Sequence, residues 1–127
     1  MAVDRAWAKT EMLLAEARAM LEARGVPLVV VALPCAIQFG RPWTRGPFQE
    51  RLRAVCARHQ ITFVDPLPRM EAASPARHFY YYGDLVHPKP IGNEAIASAI
   101  VDVMAGDRGV ARSLTARCQA SQAGSAP

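Results

Sequence analysis

The chain has 127 residues, of which 51% are hydrophobic and 20% are charged, and its formal net charge is +4. This length supports one domain with a modest core, and this composition excludes a disordered chain. The longest apolar run is broken by Pro27 and Pro34, so no membrane span is predicted. Basic residues alternate with acidic ones and form no stripe interleaved with aromatics, so nucleic acid is not a predicted partner.

The first predicted element is an amphipathic helix over residues 4–24. Its apolar residues recur at three-to-four spacing, and Gly25 suits the C′ position that ends a helix. Asp4, Arg5 and Lys9 stand where a signal peptide would be apolar, so no signal peptide is predicted. A cytoplasmic location is therefore expected.

Two short apolar runs predict parallel strands. Residues 28–33 are six consecutive apolar residues before Pro34, which is typical of a strand covered on both faces, and residues 61–64 form a second such run. A helix is predicted between them over residues 47–59, with Pro47 near its first position. This order indicates a crossover α/β unit.

Two strands are too few for a parallel sheet that is covered on both faces. The sequence therefore predicts either that another chain completes the sheet or that this chain is the second half of a larger domain. In the first case the partner is a complementing chain or a second copy, which pairs with the exposed strand edges.

The three cysteines are Cys35, Cys56 and Cys118. An odd number without C-x-x-C spacing argues against a disulfide framework and against a zinc site. Cys56 lies on the apolar face of the second helix and is interpreted as a small buried residue. Cys35 lies just after the first strand, beyond Pro34, and stays a candidate thiol nucleophile.

The last third of the chain contains a loop, a helix and a tail. Residues 66–79 contain three prolines and predict a loop, and residues 90–105 predict a third helix with Pro90 at its first position. From residue 106 the periodicity fails and small polar residues dominate, so residues 106–127 are predicted to be a disordered tail.

The most informative motif is an Asp-x-x-His formed by Asp84 and His87. It follows a run of three tyrosines and precedes the third helix. In a catalytic triad the acid holds the imidazole in one tautomer, and the imidazole takes a proton from the nucleophile. Asp84 and His87 suit these acid and base roles. A metal site built from His78, Asp84 and His87 is the alternative chemistry.

Residues 84–88, with Gly92 and the Ile96-Ala97 pair that follow, resemble the last conserved block of the SGNH/GDSL hydrolases. These are esterases and acetyl-ester hydrolases with a flavodoxin-like three-layer α/β/α fold. The resemblance implies an α/β fold with parallel strands, of which residues 1–105 are the C-terminal half and the N-terminal half is missing. It implies hydrolysis of a small-molecule or carbohydrate ester without a cofactor, with His87 as base and Asp84 as its orienting acid.

The nucleophile block of that family, a Gly-Asp-Ser, has no counterpart in this chain. Its serines are at positions 74, 98, 113, 121 and 125, and none follows a Gly-Asp pair. A base without its serine retains little activity, so the chain by itself is expected to hydrolyse esters negligibly. The alternative function is a non-catalytic α/β module that docks a partner.

Overall fold

The computed structural model describes residues 2–40 and 42–123. Their elements, in chain order, are α1 (Ala2–Glu22), β1 (Val29–Val31), a 3₁₀ helix (Ala36–Gln38), α2 (Pro42–Arg58), β2 (Thr62–Val64), α3 (Leu67–Ala73), α4 (Ala76–Phe79), α5 (Pro90–Gly106) and α6 (Arg108–Ala123). They divide into two compact units, one from residues 1–28 with 104–127 and one from residues 29–103. No described helix has both the length and the apolar composition that crossing a membrane requires.

The three predicted helices correspond to α1, α2 and α5. Gly25 adopts φ +64° after α1, the left-handed conformation that a C′ glycine takes. Helix α5 begins at Pro90 as expected. Helix α2 begins at Pro42 instead of Pro47, because either proline suits the first helical position and the earlier one takes it.

The two predicted strands pair in parallel, with Val29 opposite Thr62 and Val31 opposite Val64. The prediction of a flavodoxin-like three-layer α/β/α fold is nevertheless wrong. The described residues are mostly helical, and their sheet has two strands of three residues each. All three residues of β1 are only half-buried, and Leu33 is exposed. A sheet this small cannot separate two layers of helices.

Two segments predicted to lack regular structure are helical. Residues 67–73 and 76–79 form α3 and α4, and most of the predicted disordered tail forms α6, although residues 124–127 lie outside the described part of the chain. The Asp107 carboxylate accepts hydrogen bonds from the Gly109 and Val110 amides at 2.9 and 3.1 Å. This side chain caps the first turn of α6, and such a cap stabilises a helix of weak periodicity.

Part of the core of the second unit is a cluster of Met70 from α3, Phe79 from α4, Tyr80 directly after α4 and Ile96 from α5. Phe39 packs against it, with its ring centroid 5.8 Å from that of Tyr80. Tyr80 begins the loop that carries the Asp-x-x-His motif, so this cluster anchors that end of the loop.

Candidate active site

The loop of the motif, residues 80–89, is closed at its base by backbone contacts. The Lys89 amide donates to the Phe79 carbonyl at 2.7 Å, and Tyr80 forms an antiparallel bridge with Pro88. Helix α5 then passes so close to Phe79 that a Cβ on Gly92 would lie 2.6 Å from the Phe79 oxygen. The glycine therefore permits the approach that holds both ends of the loop together.

Tyr80 anchors the same loop to the segment that follows β1. Its buried hydroxyl donates to the Pro34 carbonyl at 2.6 Å, and the Ala36 amide donates to the Leu85 carbonyl at 2.8 Å. Burial, and secondly the nearby Cys35, raise the pKa of Tyr80 to about 12. The hydroxyl therefore stays protonated at neutral pH and keeps donating to Pro34.

Within the loop, the Asp84 carboxylate organises a tight turn. The turn follows Gly83, which has φ +79°, a conformation that favours glycine. Asp84 Oδ1 accepts hydrogen bonds from the backbone amides of His87 at 2.9 Å and Val86 at 3.0 Å. These two bonds, with that of the His87 amide first, lower the pKa of Asp84, so the side chain is ionised at neutral pH.

The same carboxylate holds the His87 imidazole. His87 Nδ1 lies 3.0 Å from Asp84 Oδ2 and 3.2 Å from Oδ1. An ionised carboxylate only accepts hydrogen bonds, so we assign the proton of the neutral ring to Nδ1. Nε2 then carries a free lone pair, and the His87 side chain is 80% exposed whereas that of Asp84 is 33% exposed. This is the arrangement that the acid and base roles require.

Among the described residues, no hydroxyl or thiol group forms a hydrogen bond with the His87 ring. Within the described part of the chain, every hydrogen bond of His87 goes to Asp84. Cys35 is half-buried, and its amide donates to the Gln38 side chain at 2.9 Å. Ser74 ends α3, where its amide donates to the Met70 carbonyl.

The metal alternative also lacks support. His78 lies in α4 with its ring edge against Phe79, at a centroid distance of 5.0 Å. Among the described residues, no three His, Cys, Asp or Glu side chains are grouped in a way that could hold a metal ion.

A cavity of about 240 Å³ lies beside the motif. Asp84 lines it, together with Arg77 and Lys89, which sequence reasoning did not assign to a site. Lys89 stands between two prolines that restrict its backbone, and this sequence pattern could have indicated that Lys89 has a fixed position beside the motif. No sequence pattern marks Arg77, because only the pairing of Phe79 with Lys89 brings it to the loop.

Comparison with known proteins adds no relative. No family model matches the chain, and neither a curated protein nor a solved structure is significantly similar to it. The resemblance to the SGNH/GDSL hydrolases therefore stays a prediction, based on residues 84–97.

Proposed function

We propose that Asp84 and His87 are the acid and the base of a hydrolase that acts on ester bonds. The observation that supports this proposal most strongly is that one carboxylate, that of Asp84, contacts both the backbone amide and the ring of His87. Asp84 accepts from the His87 amide at 2.9 Å and lies 3.0 Å from Nδ1. Two contacts to one residue fix the direction of the imidazole within the exposed loop.

In this role, His87 Nε2 takes a proton from an attacking hydroxyl group or water as the new bond to the ester carbonyl carbon forms. The resulting imidazolium is stabilised by the ionised Asp84 carboxylate. The imidazolium then returns the proton to the alcohol oxygen as the ester bond breaks, and the alcohol is released. When water attacks, the acid is released in the same step; when a hydroxyl group attacks, the acyl group stays on its oxygen until His87 activates a water molecule that releases the acid. The Gly-Asp-Ser serine of the resembled family is not in this sequence, and the attacking group is therefore water or a hydroxyl from a complementing chain.

The test is hydrolysis of an activated ester, p-nitrophenyl acetate, by the wild type and by His87→Ala, Asp84→Asn and His78→Ala. His78 is a matched control, since it is also an exposed loop-proximal histidine but contacts Phe79 instead of a carboxylate. We expect His87→Ala and Asp84→Asn to hydrolyse the ester at least about ten-fold more slowly than the wild type. This loss is smaller than the roughly 10²–10⁴-fold contribution of a complete acid–base site. His78→Ala should keep the rate of the wild type. Equal losses in His78→Ala and His87→Ala would show generic imidazole reactivity and contradict the proposal.

An unactivated acetyl ester tests whether the chain itself contains a nucleophile. Without a serine and an oxyanion hole, we expect no turnover above background. Turnover that depends on His87 and also on Cys35 or Ser74 would instead identify a nucleophile within the chain.

The alternative, a docking module, is favoured by the open edges of the sheet. Among the described residues β1 pairs only with β2, so each strand has one edge along which no other strand lies. Such edges can accept a further strand. This function predicts an oligomer in size-exclusion chromatography with light scattering, unchanged by His87→Ala, whereas a monomer with cooperative unfolding contradicts it.

A further inference from the structure

The cavity beside the motif has the size of a small organic molecule. Its volume of about 240 Å³ lies just below the roughly 300–1,000 Å³ of typical ligand pockets. Most of its lining surface is apolar, and Ala36, Tyr80, Tyr81 and Leu85 contribute to it. A ligand of about eight to ten non-hydrogen atoms with an apolar body fits this space.

Two basic residues, Arg77 and Lys89, line the same cavity. Lys89 Nζ donates to the Arg77 carbonyl at 2.8 Å and lies 5.9 Å from the centroid of the Tyr81 ring. Within the described part of the chain, neither Lys89 nor Arg77 has a carboxylate partner. Both charges are thus available to a ligand.

The one carboxylate in the lining, Asp84, is already engaged. Its Oδ1 accepts from the amides of Val86 and His87, and its Oδ2 faces His87 Nδ1. With two cations and one carboxylate, the ionised groups of the lining have a net positive charge. This charge favours an anion over a neutral or cationic ligand.

We propose that this cavity binds a small organic anion. Its carboxylate pairs with Lys89 and Arg77, and its apolar body lies against Tyr81 and Leu85. Inorganic phosphate offers the charge without the apolar body, and a neutral amide offers the body without the charge. The identification of this anion as the charged part of an ester substrate rests on the proposed function, whereas its binding does not depend on catalysis.

The test is an NMR titration of the ¹⁵N-labelled chain with benzoate, which has nine non-hydrogen atoms and one carboxylate. We expect shifts at Lys89 and Tyr81 that saturate with a Kd of about 1 mM, as for a fragment-sized ligand, and weaker binding in added salt. Benzamide, the neutral analogue, and inorganic phosphate should each bind several-fold more weakly. If benzamide binds as tightly as benzoate, the charge of the ligand does not contribute to binding. If phosphate binds as tightly as benzoate, the apolar wall does not contribute. Either result overturns the proposal.

Variants of the two cations locate the site. We expect Arg77→Gln and Lys89→Gln each to weaken benzoate binding about three- to five-fold, the size of a partly exposed ion pair, while Arg77→Lys and Lys89→Arg retain it. Arg77→Gln keeps the test valid if Lys89→Gln does not fold, because the Arg77 side chain makes no hydrogen bond to the described residues. Unchanged affinity in Arg77→Gln and in a folded Lys89→Gln contradicts the assignment.

His87→Ala separates the two proposals. If this variant loses reactivity towards p-nitrophenyl acetate and still binds benzoate, both proposals stand. If it keeps its reactivity and the chain binds benzoate, the hydrolase fails and the anion site stands. If reactivity depends on His87 and benzoate does not bind, the anion site fails alone.

Discussion

Replacing Gly92 with alanine tests whether the loop that carries Asp84 and His87 depends on the close approach of α5 to the end of α4. The added methyl group would lie 2.6 Å from the Phe79 carbonyl oxygen and 2.8 Å from Pro88 Cβ. Ordinary contacts between carbon atoms are about 3.5–4.0 Å, and neither neighbour belongs to a flexible side chain. The same Phe79 oxygen accepts the Lys89 amide at 2.7 Å, so moving it would strain the bond that closes the loop.

The expected cost follows from two opposing terms. Overpacking a filled site costs about 1–3 kcal/mol, and the higher helix propensity of alanine offsets at most about 1 kcal/mol of it. We expect a net loss of about 1–2 kcal/mol in the free energy of unfolding. At about 4 °C per kcal/mol for a chain of this size, the Tm of Gly92→Ala falls by about 4–8 °C.

The measurement is thermal and urea unfolding followed by circular dichroism. Gly106→Ala is the matched control, because Gly106 ends the same helix and nothing lies within 4 Å of its Cβ position. This control should be as stable as the wild type or slightly more stable. If Gly92→Ala is as stable as Gly106→Ala, the backbone moves aside without cost and the packing argument is refuted.

Three further substitutions test the surroundings of the site and the core. Tyr80→Phe should lower the free energy of unfolding by about 1–3 kcal/mol because the buried Pro34 carbonyl loses its donor, and an equal loss in Tyr82→Phe, whose ring is fully exposed, would contradict this. Gln49→Met should raise the free energy of unfolding by about 1–3 kcal/mol, because both side-chain amide atoms of Gln49 are buried without a partner among the described residues. If urea unfolding shows no increase in this free energy, the amide has a hydrogen-bond partner and the argument fails. The folded-state pKa of Asp84 is lowered, so its carboxylate stabilises the fold above the unfolded pKa, near pH 4, and this stabilisation is lost as the pH falls through the lower folded value. The stability difference between the wild type and Asp84→Asn, measured by urea unfolding across pH, should therefore be full at pH 7 and shrink in acid, and a difference that does not vary with pH would contradict the argument.

Features decided by residues close in sequence were predictable. Gly25 ends α1 and Pro90 begins α5, since each acts on the backbone at its own position. The contact of Asp84 with His87 spans three residues of one turn, and the structure contains it at 3.0 Å. The catalytic role of this pair stays a prediction, because proton transfer also needs a partner that the turn does not supply.

The fold class was not predictable in this way. Residues 28–33 have the composition of a buried strand, but β1 extends only over Val29–Val31, because pairing with β2 ends there and Leu33 turns outward. Whether an apolar run becomes a long covered strand depends on how many strands lie beside it. Periodicity within the run contains no information about that number.

The sequence by itself determined the helices with clear ends, the parallel order of the two strands and the acid–imidazole turn, because each depends on backbone preferences and contacts within a few residues. Only the tertiary structure decided that the sheet stays small and that Arg77 and Lys89 share a cavity with Asp84. The cavity forms because the contact of Phe79 with Lys89 closes the loop over the methyl-free face of Gly92. The sheet stays small because no third strand among the described residues pairs with β1 or β2. Contacts between distant residues of this kind form only when the elements have packed.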